Sequence, residues 1–355
     1  MDKGITSLRP TTRHFTKSSC IGMCRSKLSL GHLWMLALFA TLSLGSCKEE
    51  PKQVTPQQPT ISAQLVIPKF EGDSAYVFLE NQLSFGFRVP GTPEHVACKD
   101  WLKAKLESYG ATVYEQPFKV SFLTKKDVQA YNVIGAINPQ AKKRIIIAAH
   151  WDSRLIAEKD PDPTRKKDPI MGADDGASGV AVALEIARIL KENPIDLGVD
   201  IIFFDAEDQG GDQDGWCLGS KYWSSNFHIK PYTAKYGILL DMVGAKNAKF
   251  GFEQVSMRFA PDLMKKVWTL ARNMGYTDYF IESPTGEIMD DHYYVNVNAR
   301  IPMIDIINRP LQTDHGFGHY HHTHEDNLEI IDKRTLEVVG KVVTAVIYKE
   351  NHNSF

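Results

Sequence analysis

The sequence has no surplus of charge. Its 41 Lys and Arg stand against 43 Asp and Glu, a formal net charge of −2, so there is no electrostatic case for nucleic acid as a partner. Long apolar runs are also lacking: the stretch at residues 33–44 is shorter than the roughly 20 residues a spanning helix needs. Cysteine is sparse. Of the five, Cys20, Cys24 and Cys47 precede the main body, leaving Cys98 and Cys217, which we expect to be unpaired, buried thiols. No repeat, low-complexity block or linker interrupts residues 60–355. That points to one domain, long enough for a sizeable core.

The N-terminal region has its own pattern. Arg25 and Lys27 precede the apolar stretch, and Leu44-Gly45-Ser46-Cys47 follows it, the layout of a secretory signal with a small-residue cleavage site. The same four residues resemble a bacterial lipobox, in which the Cys becomes the lipidated first residue, and translation beginning at Met23 would suit that signal. Cys47-Lys48-Glu49-Glu50 also looks like a signal that sends some lipoproteins to the cell surface. We therefore expect residues 1–46 to be an extension and signal peptide, 47–60 a solvated tether, and 61–355 the domain. The chain would be exported, a monomer, and anchored through lipid on Cys47 to the Gram-negative envelope, on its periplasmic face or at the surface.

Within the domain, helical and extended patterns take turns. Thr92 and Pro93 read as the cap and first position of a helix ending at Gly110, and a β-rich hairpin near 112–122 follows, then strands at 130–137 and 144–150. A helix is expected over 179–191, a strand over 199–204, a helix near 218–223 and a strand over 236–241. Next come a helix over 261–274, a strand over 301–307, and a final helix over 333–349 capped by Asp332. This alternation predicts an α/β three-layer sandwich, a mostly parallel sheet with helices on both faces.

Polar residues then stand out by position. IIFFDAED, from Ile201, is an apolar run that stops in Asp205, Glu207 and Asp208. His150 and Asp241 end two other apolar strands, and Asp305 lies within a fourth. Ligands in open α/β sheets sit beyond the carboxyl ends of strands, and acids are rarely buried without partners. Asp175, in the glycine-bordered GADDGASG, and the histidines 315, 319, 321, 322 and 324 add donors of the kind zinc takes, with one carboxylate left to move protons. A blander role is open for Asp174 and Asp175, that of capping the next helix.

HWDSR from His150, GADDGASG from Gly172, IIFFDAED, ILLDMVGAKNAKF from Ile238, IMDDH from Ile288 and HHTHEDN from His321 occur in one order. Together they resemble the zinc aminopeptidase family with the phosphorylase/hydrolase-like fold, and more closely its glutaminyl cyclase branch, from about Phe85 onward. The resemblance implies one zinc per chain, bound by Asp175, Asp208 and His322, with Glu207 as general acid/base and Asp241 and Asp290 in a proton-sharing network. The substrate would be a peptide or protein with N-terminal Gln, cyclised to pyroglutamate with loss of ammonia.

Some positions depart from the animal cyclases. Asp208 stands where they have Glu, Asp305 where they have His, and His321 where a Trp adjoins the ligand His; their disulfide partners are missing. The substrate pocket would then be built from Trp151, Trp216 and His321. The rival is a two-zinc aminopeptidase, in which His150 and Asp241 join as ligands and Asp175 bridges the metals. For Asp290 the bland alternative is a helix cap remote from the chemistry.

Overall fold

The computed structural model of the chain describes residues 65–211, 214–310, 313 and 316–355. The expected signal and lipobox, the whole of the tether, and His315 lie outside the described residues. Strands β1 (Thr112–Phe122), β2 (Lys125–Ile137), β3 (Arg144–His150), β4 (Gly198–Phe204), β5 (Gly237–Asp241) and β8 (Met303–Ile307) form one sheet, ordered β1-β2-β4-β3-β5-β8. Between them in the chain, β6 (Phe250–Phe252) and β7 (Phe280–Pro284) pair with each other. The helices are α1 (Gly72–Leu83), α2 (Pro93–Ser108), α3 (Ala177–Glu192), α4 (Leu218–Ser225), α5 (Gln254–Phe259), α6 (Pro261–Asn273), α7 (Asp291–Tyr294) and α8 (Lys333–Asn351).

β3 and β4 are buried at every position, as strands covered on both faces must be. Their alternate residues part into two cores, following the period of two that a strand imposes. Ile145, Ile147 and Ala149 join Val199, Ile201 and Phe203 with Leu79 of α1, Val180 of α3 and Val339 of α8. Ile146, Ala148, Ile202 and Phe204 pack instead with Trp223 of α4. These are the two helical layers of the expected sandwich.

The sheet is parallel only from β4 through β3 and β5 to β8; β1 and β2 are antiparallel to their neighbours. The expected strand at 130 starts earlier, because residues 125–129, mostly polar, continue the ladder with β1 at the edge of the sheet. Helix α1 was not expected from the sequence. Its N-cap residue, Glu71, makes no side-chain cap bond, so the local signal was missing. By contrast Thr92 accepts from the His95 amide and Asp332 from the Arg334 amide, and α2 and α8 begin where expected.

Helix α3 lies so close to β5 that a Cβ on Gly179 would come 2.0 Å from the Leu240 carbonyl oxygen. Overpacking of a closed core costs about 1–3 kcal/mol, occasionally more. Gly179→Ala is therefore expected to lower the urea midpoint of the domain. A midpoint equal to the parent's would contradict this close contact.

Candidate active site

The parallel register delivers several polar residues to one edge of the sheet. His150 pairs with Phe204, and Ala148 with both Ile202 and Leu239; so the residues that end β3 and β5, His150 and Asp241, meet at the same rim with the chain leaving β4. Asp305 pairs with Leu239, two residues short of that rim. It is fully buried, with side-chain atoms of Asp290, His292 and Asp305 all within 4.8 Å of one another. Asp205 also turns inward: its carboxylate meets His95 Nε2 at 2.9 Å and accepts the Tyr131 and Ala206 amides. Asp205 supports the rim from behind, whereas both side-chain oxygens of Asp305 are buried without a hydrogen-bond partner among the described residues.

Beyond β4 the backbone turns through Ala206, which is left-handed at φ 54°. The Asp152 carboxylate accepts the Glu207 and Asp208 amides at 3.0 and 3.2 Å and the Gln209 side-chain amide at 2.8 Å. Met242, Cys217 and His322 are left-handed as well, a conformation costing about 1–3 kcal/mol for a non-glycine residue and found where function holds the chain. In the loop carrying Asp175, Gly176 has φ 100°, and a Cβ there would meet the Asp152 carbonyl at 2.6 Å. The Asp326 carboxylate fixes the same loop by accepting the Asp174 and Asp175 amides. Neither aspartate caps α3, whose N-cap is Gly176; Asp174 bonds the Gly244 amide and the Tyr320 hydroxyl instead.

These turns bring the acids and histidines together. His322 Nε2 lies 3.1 Å from Asp208 Oδ1 and 3.9 Å from Asp175 Oδ2, and Asp208 Oδ2 is buried with no partner. The ligand atoms of Asp175, His321 and His322 lie within 4.8 Å of one another, with Asp208 against His322, and carboxylates and imidazoles are donors suited to zinc. His321 Nε2 is 3.8 Å from Asp175 Oδ2, so it stands beside the same group. A second cluster shares Asp175: His150 Nε2 is 3.0 Å from Asp175 Oδ1 and 3.3 Å from Asp241 Oδ1. The ligands of the two-metal rival are thus also assembled.

Glu207 faces the pocket, and its Oε1 accepts the Cys217 thiol at 3.2 Å. Burial raises its pKa well above the usual carboxylate range; His150 opposes the shift, while the charges of Asp290 and Asp208 add to it. Asp241 is pushed up to about 8, by burial first and by Asp290, against the pull of His150. His150 goes the other way. Burial disfavours its charge, but Asp152, Asp175 and Asp241 around it outweigh that and hold its pKa well above the normal imidazole value. Asp290 caps the short helix α7 and also lines the pocket, so the cap and the site are not alternatives here. Cys98 and Cys217 are free and buried.

The pocket has a volume of about 420 Å³, with an apolar wall of Trp216, Met242, Ile288, Met289 and Phe317. Trp216 and His321 line it, as expected. Trp151 does not. It is fully buried, stacked on His95 at 4.3 Å, with its indole nitrogen donating to the Tyr131 carbonyl. The residue after a strand end can turn into the core as readily as out of it, and nothing local distinguishes the two. Sequence reasoning missed Met289, although it lies within the IMDDH motif, and Phe317, a few residues before the His321 motif, and it missed Glu158 and Lys159, which line the pocket from a loop with no motif.

A mixed α/β sandwich with a metal-binding rim at the carboxyl ends of its parallel strands defines a protein of the zinc-exopeptidase class. Residues 132–347 match the model of peptidase family M28, and the chain belongs to that family. It is similar to a Bacteroides thetaiotaomicron glutaminyl cyclase crystallised with N-acetylhistamine, at 47% identity and a TM-score of 0.78 over 80% of this chain and 99% of that one. A Porphyromonas gingivalis glutaminyl cyclase is 46% identical, with a TM-score of 0.77 over 79% and 99%. Among curated relatives, the glutaminyl-peptide cyclotransferase of Bos taurus is 23% identical over 75% of this chain and 79% of its own length.

Proposed function

We propose that the chain is a zinc-dependent glutaminyl-peptide cyclotransferase, which converts the N-terminal Gln of a peptide or protein to pyroglutamate with release of ammonia. The observation that carries this reading is the position of Asp290. Its carboxylate stands with Glu207 and Cys217 within 4.8 Å, and its charge raises the pKa of Asp241, an arrangement for handling protons at an amine. The reading rests also on similarity to glutaminyl cyclases along nearly their whole length.

In this reaction the α-amine attacks the side-chain carbonyl carbon, a C–N bond closes the five-membered ring, and the bond to the amide nitrogen breaks. Zinc, held by Asp175, Asp208 and His322, would supply a Lewis acid for the amide oxygen. Glu207 takes the proton that the amine loses and returns one to the departing nitrogen, a task suited to a carboxylate whose proton affinity is raised. Asp241 and Asp290 share a proton beside it and hold the amine. Because the nucleophile belongs to the substrate, no water is needed.

The two-zinc aminopeptidase remains the second reading because His150 and Asp241 flank Asp175. A comparison of ammonia release from a Gln-initiated peptide with hydrolysis of leucine anilide separates the two. Cyclisation is expected to dominate; hydrolysis without ammonia release from the Gln peptide would reverse the assignment. We further infer one zinc per chain, a monomer, and export with a lipid anchor on Cys47, the last supported by the Leu44–Cys47 pattern after a short apolar stretch.

A further inference from the structure

Three consecutive residues, Glu158, Lys159 and Asp160, each hold one histidine of the 321–324 run. His322 Nδ1 meets Glu158 Oε1 at 2.6 Å, His321 Nδ1 meets Lys159 Nζ at 2.6 Å, and His324 Nδ1 meets Asp160 Oδ2 at 2.6 Å. The contact to His322 closes a ring of four side chains. Arg154 donates from Nε to Glu158 Oε2 at 2.8 Å and from Nη1 to Asp208 Oδ1 at 3.3 Å, and Asp208 Oδ1 is 3.1 Å from His322 Nε2. With its oxygens engaged by a guanidinium, which only donates, Glu158 is left as an acceptor for His322.

Stacking alone does not settle which nitrogen of His322 faces the acids. The ring stacks with His321, at 3.7 Å, and with Trp216, at 5.9 Å and 10°, which fixes its plane. A half-turn about the Cβ–Cγ bond keeps that plane and exchanges the nitrogen-bearing edges. Hydrogen bonds at its edges distinguish the two states: Asp208 stands against Nε2, and Glu158 supplies the bond at Nδ1.

We propose that Glu158 is a positioning residue for zinc: through Nδ1 it holds His322 with Nε2 toward Asp175 and Asp208, and through Arg154 it restrains Asp208 so that Oδ2 is the free oxygen. This rests on the reading of His322 as a ligand. Partners behind a metal-bound histidine are worth about 10–100-fold in metal affinity.

The test is zinc competition against a chelator, using the full chain and its Glu158→Ala and His322→Ala variants. Glu158→Ala should weaken zinc by about 10–100-fold, and His322→Ala by more. An affinity for Glu158→Ala within twofold of the parent, with His322→Ala impaired, overturns the role of Glu158 alone. Unchanged affinity in His322→Ala overturns the ligand assignment and this proposal with it. A second measurement needs no variant: ¹⁵N spectra of the zinc-loaded parent should show His322 metallated at Nε2 with a slowly exchanging proton on Nδ1. Metal on Nδ1 would refute the orientation proposed for Glu158.

Discussion

Glu207→Gln is expected to keep its zinc and to lose roughly 10²–10⁴-fold of cyclisation turnover, the range a positioned general acid/base contributes. The amide has the shape of the carboxylate and retains an oxygen to accept the Cys217 thiol. The Asp152 bonds that shape this turn go to the backbone amides of Glu207 and Asp208, so they are untouched. What disappears is the group that can carry a proton between two nitrogens. The check is kcat by ammonia release, with zinc content of the same sample measured by atomic emission. Loss of zinc instead of turnover would mean that Glu207 binds the metal and that Asp208 must be given the proton-transfer role.

Removing zinc is expected to abolish cyclisation, and about one equivalent per chain to restore it, since one tetrahedral site takes three protein ligands and leaves a position for substrate. Asp175, Asp208 and His322 would supply those ligands from the loop before α3, the segment that follows β4 and a left-handed turn, separated in sequence but joined at one rim. The His322→Ala chain should recover little activity at the same stoichiometry. Titration of the stripped chain with zinc, followed by both activity and bound metal, gives the answer. A requirement for two equivalents would implicate His150 and Asp241 as ligands and return the site to the two-metal arrangement.

Periodicity, caps and apolar runs were enough to order most elements of the sheet and to place His150, Asp205 and Asp241 at strand ends, because these signals are local and each strand buries a continuous run. They were enough, too, for Thr92 and Asp332 to mark where α2 and α8 begin. The IIFFDAED run likewise marked where the acids would be. Which of those acids faces the pocket was another matter: Asp205 turns back to His95 while Glu207 turns out, a choice made by the left-handed Ala206 and by Asp152, whose contact with that turn depends on β3 and β4 lying side by side.

The same limit applies to the wall and the histidines. Trp151 and Trp216 look alike as candidates in sequence, yet one fills the core and the other stacks against His322. Met289 and Phe317 reach the pocket from segments remote from the zinc-binding acids, and Glu158 meets His322 across 164 positions of chain. Sequence alone therefore determined the order of the elements, the family to which the motifs belong and the rim where chemistry gathers, because these depend on residue type and short spacing. Only the tertiary structure decided which side chains meet there and which way they point, because those depend on backbone turns and on contacts between distant segments.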